Sequence, residues 1–137
     1  MYKRAYPLNI IDDNGNIREG YDIASDIISL EQPIHFEELC RRIAPAYGRQ
    51  KARSVVRDEV KYIFRNHLKG MIIEDMNEFV RIKDFADVKV RVPNPDDDYL
   101  RPINYICNEE LALAMKTIAQ HSFGITPDDL FIYSYCS

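Results

Sequence analysis

Arg49, Arg53, Arg57, Lys61, Arg65 and Lys69 recur at every fourth position of this chain. At about 100° per residue, side chains four apart on an α-helix stay close together and drift slowly around it. Six guanidinium and ammonium groups presented this way suit one kind of chemistry, the binding of phosphates along a nucleic-acid backbone. The charge behind that reading is local. Between Arg41 and Lys69 lie nine of the eighteen Lys and Arg residues and only two of the twenty-two acids, Asp58 and Glu59. The rest of the chain has nine cations against twenty acids, so the formal charge of the whole is −4 and the pI about 5.4. The total argues against a nucleic-acid binder, whereas the distribution points to one. A solvated helix face is the competing account. Against it stands the scarcity of acids, because a face held by ion pairs mixes its signs.

Other chemistries find little to work with. Five glycines, none of them clustered, leave no Gly-rich loop ending in Gly-Lys-Ser/Thr to cradle a nucleotide. Asp12, Asn14 and Asn16 imitate the first ligands of a calcium loop, but Ile17 and Ile23 stand where its glycine and bidentate glutamate are needed. A hairpin turn is the better account of that stretch. His35, His67, His121 and the three cysteines lack the paired spacing of a zinc site, so no metal and no cofactor are expected. His35 reads as a helix-start or core-edge residue and Cys40 as a small buried hydrophobe. Glu59-Val60-Lys61 has the spacing of a metal-dependent nuclease motif, yet it falls inside a helix without a partner aspartate on a strand. Tyr47, Tyr62, Tyr99 and Tyr105 are of a type that stacks on exposed bases, although Tyr47 reads better as core or turn packing. No catalytic residue is expected.

The elements that must position the basic row follow from periodicity and punctuation. Residues 8–18 read as an extended segment, a turn at Asp12-Asp13-Asn14-Gly15 and a return through Ile17. Ile23, Ala24, Ile27, Ile28 and Leu30 keep helical spacing from about Glu19 to Leu30, where Gln32-Pro33 ends the helix. A short extended piece at Ile34-His35-Phe36 leads to a second helix, about Glu37 to Ala44, burying Leu39, Cys40 and Ile43. Pro45 and Gly48 bracket a tight connection to a third and longest helix, about Gln50 to Leu68. Its apolar stripe is Ala52, Val55, Val56, Val60, Ile63, Phe64 and Leu68, and Gly70 supplies a left-handed cap. Met71 to Glu74 and Glu78 to Ile82 form a β-hairpin around a polar tip, and the alternation from Asp87 to Val92 suggests one more strand. Pro93 to Pro102 is the best linker. Asn108 then caps a helix through about Gln120 whose apolar side is Leu111, Met115, Ile118 and Ala119, and Thr126-Pro127 starts a last helix.

This order predicts an α+β, mostly helical fold: a winged helix-turn-helix followed by a linker and a C-terminal helical pair. The divisions are an N-terminal extension at 1–18, the winged helix-turn-helix at 19–92, the linker at 93–107 and a C-terminal helical segment at 108–137. Arg49, Lys51 and Arg53 then lie at the front of the third helix, where base edges are read, with Gln50 able to read adenine. Arg57 and Lys61 sit nearer phosphate, and Arg41 and Arg42 flank the turn. The expected partner is DNA, duplex and bound with little sequence preference. The hairpin tip, Glu74-Asp75-Met76-Asn77-Glu78, is acidic and would repel a backbone, so it is expected to point away. The reading from a different class is a protein-docking or scaffold domain.

Pro33-Ile34-His35, the helix from Leu39 to Arg42, Gly48 before the basic helix, and Glu110-Leu111 with Ala114 ahead of Ile125 and Asp129-Leu130 carry a family likeness. With these features, most of the chain from about residue 19 resembles the uncharacterised domain at the C-terminal end of large bacterial superfamily I DNA helicase-like proteins. The resemblance holds no catalytic motif. It implies an accessory module of an ATP-driven nucleic-acid translocase, in contact with other domains of its parent, where any ATPase activity would reside.

Hydrophobic content of 46% is enough for the core of one compact domain. The chain has no apolar run near the roughly 20 residues of a membrane span, and MYKRAYPL lacks the apolar stretch of a signal peptide. Cys40, Cys107 and Cys136 are odd in number and widely spaced, so reducing cytoplasm and no membrane partner are expected. The chain stops at YSYCS inside an expected helix, as an excised piece of a longer polypeptide would. Helix, short apolar link and acid-capped helix echo faintly between Glu19–Leu39 and Glu110–Leu130; chance is the competing account of six loose matches, and a true repeat would make the tail the opening of a truncated second unit. Leu130, Phe131 and Tyr135 would then be covered by the helix of residues 108–121, by self-association or by the parent.

Overall fold

Four α-helices and a small antiparallel sheet build an α+β fold in a computed structural model that describes residues 1–6, 8–49 and 53–122. Helix α1 runs Gly20–Glu31, strand β1 Ile34–His35 and α2 Phe36–Ile43. A 3-10 turn at Ala44–Tyr47 ends on Gly48, whose φ of 69° is left-handed. Then come α3 at Ser54–Asn66, β2 at Ile72–Glu74, β3 at Phe79–Ile82, a 3-10 turn at Ile103–Tyr105 and α4 at Asn108–Ser122. The expected last helix beyond Ser122 lies outside the described residues. Among the described residues no helix is long and apolar enough to cross a membrane.

The apolar spacing of each helix fixes which face turns inward. Ile23, Ala24, Ile27 and Ile28 of α1 meet Leu39, Cys40 and Ile43 of α2 and Val56, Val60 and Ile63 of α3, with Ile34 and Val80 of the sheet closing the core. At Gly20, α1 packs against Tyr47 of the α2–α3 connection. A Cβ there would overlap the Tyr47 hydroxyl and stand 3.3 Å from Ile63 Cδ1. Tyr47 is thus packed into the turn, as its position suggested.

The sheet order is β1-β3-β2, with Ile34 opposite Val80, Ile72 opposite Ile82 and Glu74 opposite Val80. The expected hairpin is therefore present. Its tip is closed by Asp75 Oδ1, which accepts from the N–H groups of Asn77 (2.8 Å) and Phe79 (3.0 Å). The N-terminal turn uses the same device: Asp12 Oδ1 accepts from Asn14 and Asn16, and Ile11 bridges Ile17. That turn accounts for the calcium-like spacing.

Three expectations need correcting. Helix α3 starts at Ser54, because Arg53 is extended (φ −92°, ψ 172°), and it stops at Asn66, short of Leu68. Val55, assigned to its apolar stripe, is 52% exposed. Residues 87–92 form no strand: Val92 accepts one backbone bond from Tyr2, and the Arg91 guanidinium instead donates to the carbonyls of Glu31 (2.6 Å) and Pro33 (3.1 Å). Alternation alone does not make a strand when the segment's hydrogen-bonding groups find partners outside the sheet. The proline-rich stretch that read as a linker is tied down at three points. Arg4 forks onto Asp97, the Tyr99 hydroxyl donates to Glu38, and Arg101 pairs with Glu110.

Candidate nucleic-acid interface

Helix geometry divides the basic row. Only Arg57, Lys61 and Arg65 stand on α3; Arg53 is its N-cap residue, Arg49 follows Gly48 in the connecting turn, and Lys69 lies past the helix end. Arg41, Arg49, Arg53, Lys61, Arg65 and Lys69 are exposed, and no ion pair to any of them is formed among the described residues. Gln50 and Lys51 lie outside the described residues.

Arg42 is the clear departure. Expected to flank the turn at the surface, it is 7% exposed and lies within the fold. Its guanidinium donates to Glu31 through Nε (2.9 Å) and Nη2 (3.0 Å) and to Glu38 through Nη1 (2.8 Å). The Tyr2 hydroxyl donates to Glu31 and that of Tyr99 to Glu38. Glu31 ends α1, where a carboxylate opposes the helix dipole. Arg42 is the cation that makes its burial tolerable. Tyr99, named for base stacking, is used up here, with the Arg4 and Arg42 guanidiniums each 4.9 Å from its ring centroid.

Arg57 is half-buried and also engaged. Its Nε and Nη2 fork onto Glu37 of α2 at 2.8 and 2.9 Å. Those hydrogen bonds, against the opposing effect of burial, hold the Glu37 carboxyl below the usual carboxylate range, with His35 and Arg41 adding to the pull. His35 accepts from the Glu37 N–H on Nδ1 (3.1 Å) and so caps α2, while its Nε2 faces Glu78 at 3.6 Å. The ring of Tyr105, 4.8 Å from that of His35, lies under the guanidinium of Arg41 at 5.3 Å.

Glu74 and Glu78 of the hairpin line a groove of about 340 Å³ together with Arg57, Lys61 and Arg65 of α3, Glu37, Phe36 and Phe64. Burial first, and Glu78 second, push the Glu74 carboxyl above its ordinary value, while Lys61 pulls it down. The acid-rich tip was legible in the sequence; its approach to α3 was not, because the short β1 strand that anchors it by pairing with β3 is only two residues long.

Tyr62 is half-exposed at the rear of α3 and meets His67, whose ring stacks on Tyr21 at 4.6 Å. Glu59-Val60-Lys61 is helical with Val60 buried, and no metal-binding group of three His, Cys, Asp or Glu occurs among the described residues. Cys40 is buried, which pushes its thiol up to about 12 and suits packing better than reactivity. The chain matches no protein-family profile, no curated protein and no solved structure.

Proposed function

We propose that this chain is a non-catalytic accessory module that binds DNA, built as a winged helix-turn-helix and serving a helicase-like parent protein. The order α1, β1, α2, α3, β2, β3 with the sheet order β1-β3-β2 supports the architecture: α3 is the recognition helix and the β2–β3 hairpin the wing. One observation carries the function. Arg53 is exposed at the N-cap of α3, the positive end of its dipole, with no acid in the first turn, and Arg49 is exposed in the connecting turn after Gly48. Cations there work against helix stability. Helix α2 follows the opposite rule, with Glu37 and Glu38 in its first turn and Arg41 and Arg42 in its last. Phosphate is the ligand that makes the α3 arrangement favourable, since it meets the dipole, the free N–H groups and the arginines together. Arg41, Arg49 and Arg53 contact the backbone, and the likeness to helicase-associated domains supplies the context.

A salt titration of binding to duplex DNA tests this. Neutralising three or four phosphates gives a log–log slope of about −3 to −4, and Arg53→Ala weakens binding and flattens the slope. Absence of binding at low salt would move the assignment to the second reading, a domain that docks on other parts of the parent. That reading is favoured by uncovered apolar side chains, Met115 and Ile118 on α4 and Met71 and Ile73 on the hairpin.

A further inference from the structure

We propose that Glu74 and Glu78 determine where along the basic row a nucleic-acid backbone lies, keeping it off the rear of α3 and confining it to the front. The inference rests on the DNA-binding reading above and adds a specificity-determining role for the wing. The groove is lined by Arg57, Lys61 and Arg65 of α3, by the carboxylate residues Glu37, Glu74 and Glu78, and by Phe36 and Phe64, whose rings meet edge-to-face at 5.9 Å. A phosphate entering this space meets three cations and three anions at once. The fork of Arg57 is already occupied by Glu37. The remaining attraction of Lys61 and Arg65 is opposed by repulsion from the wing carboxylates in the same groove, most strongly at low salt.

The backbone that carries both acids is held in place. Glu74 is a β2 residue opposite Val80, and Val80 also pairs with Ile34 of β1. Glu78 is held at a φ of 67° by the Asp75 turn, its carbonyl accepts from the Phe36 N–H at 2.8 Å, and its carboxylate faces His35. At the front of the row, Arg49 and Arg53 are outside this groove, and no acid pairs with either among the described residues. The wing thus turns a six-cation row into a short footprint.

The test uses the full chain and a fluorescein-labelled 20-base-pair duplex, read by anisotropy across a salt series. The variants are Arg53→Ala, Arg65→Ala, Glu74→Gln with Glu78→Gln, and the triple combination of the last two; thermal melts confirm that each is folded. Arg53→Ala is expected to weaken binding at least fivefold and Arg65→Ala less than twofold. The double glutamine variant should bind at least threefold tighter with a steeper slope, by about 0.9 for each phosphate gained. Adding Arg65→Ala to it should cancel much of the gain. Unchanged affinity and slope in the double variant, or an Arg65→Ala loss as large as that of Arg53→Ala in the native background, overturns the inference while leaving DNA binding in place. Failure of the native chain to bind at all overturns both.

Discussion

Removal of the Arg42 side chain would leave the carboxylates of Glu31 and Glu38, each with at most 2% of its surface exposed, facing one another without a cation. The tyrosines cannot stand in for it. Burial, and then the neighbouring carboxylate, push the Tyr2 hydroxyl above its ordinary value, and burial with the hydrogen bond to Glu38 pushes that of Tyr99 up to about 12. Both therefore remain neutral donors over the physiological range. Breaking a buried pair on one side costs about 3–5 kcal/mol, so Arg42→Ala is expected to lower the free energy of urea unfolding by that amount. Arg53→Ala, at an exposed helix end, should change it by less than about 0.5 kcal/mol. Equal losses in the two variants would show that the buried network holds nothing together. Counting arginines cannot separate these two residues. The one local signal was the i,i+4 spacing of Glu38 and Arg42, which a surface pair shares; Glu31 and the two tyrosines come from elsewhere in the chain, and only the fold brings them in.

Elements with strong periodicity or local turn chemistry were legible in the sequence: α1, α2, the Asp12 turn, the β2–β3 hairpin and α4 all fall close to where apolar spacing and capping residues put them. The misreadings share a cause, which is tertiary placement overriding local pattern. Extended backbone at Arg53 delays α3 and leaves that cation outside the helix, and residues 87–92 spend their hydrogen bonds on α1 and Tyr2 in place of a strand. Gly20 illustrates how tight such placement is. The first residue of α1 needs no special dihedral angle, yet a methyl group there would collide with the rigid ring and hydroxyl of Tyr47. Overpacking of this kind costs about 1–3 kcal/mol, so Gly20→Ala should lower the melting temperature by several degrees despite the better helix propensity of alanine. Adding Tyr47→Phe removes the offending oxygen and should recover part of the loss. A double variant as unstable as the sum of the two singles would mean that Gly20 and Tyr47 do not meet.

On the scale of the molecule, Glu110 connects what the chain leaves apart. It sits in the first turn of α4, 2% exposed, and takes Nε and Nη2 of Arg91 (3.0 and 2.8 Å), the Arg91 N–H (2.9 Å) and the guanidinium of Arg101. Arg91 in turn reaches the carbonyls at the end of α1, and Arg101 Nη2 reaches the Arg91 carbonyl at 2.9 Å. One carboxylate thereby fastens α4 and the proline-rich stretch to the helical body that carries α3. Burial alone would push this carboxyl up; the hydrogen bonds from Arg101 and Arg91 outweigh it and hold the group at about 2, against an ordinary 4.5. A depressed carboxylate stabilises the fold fully above the unfolded value and loses that contribution as the pH falls toward the folded one. The corresponding stabilisation is roughly 3 kcal/mol at neutral pH. Glu110→Gln should therefore be less stable than the native chain by about that amount from pH 7 down to about 5. Below that the two unfolding curves should converge, meeting near pH 2 as the native carboxyl takes up its proton. Urea melts of both proteins across this range would measure the gap. A gap that stays constant down to pH 2.5 would mean that the cost of the substitution is steric and that no charge at Glu110 holds α4 in place.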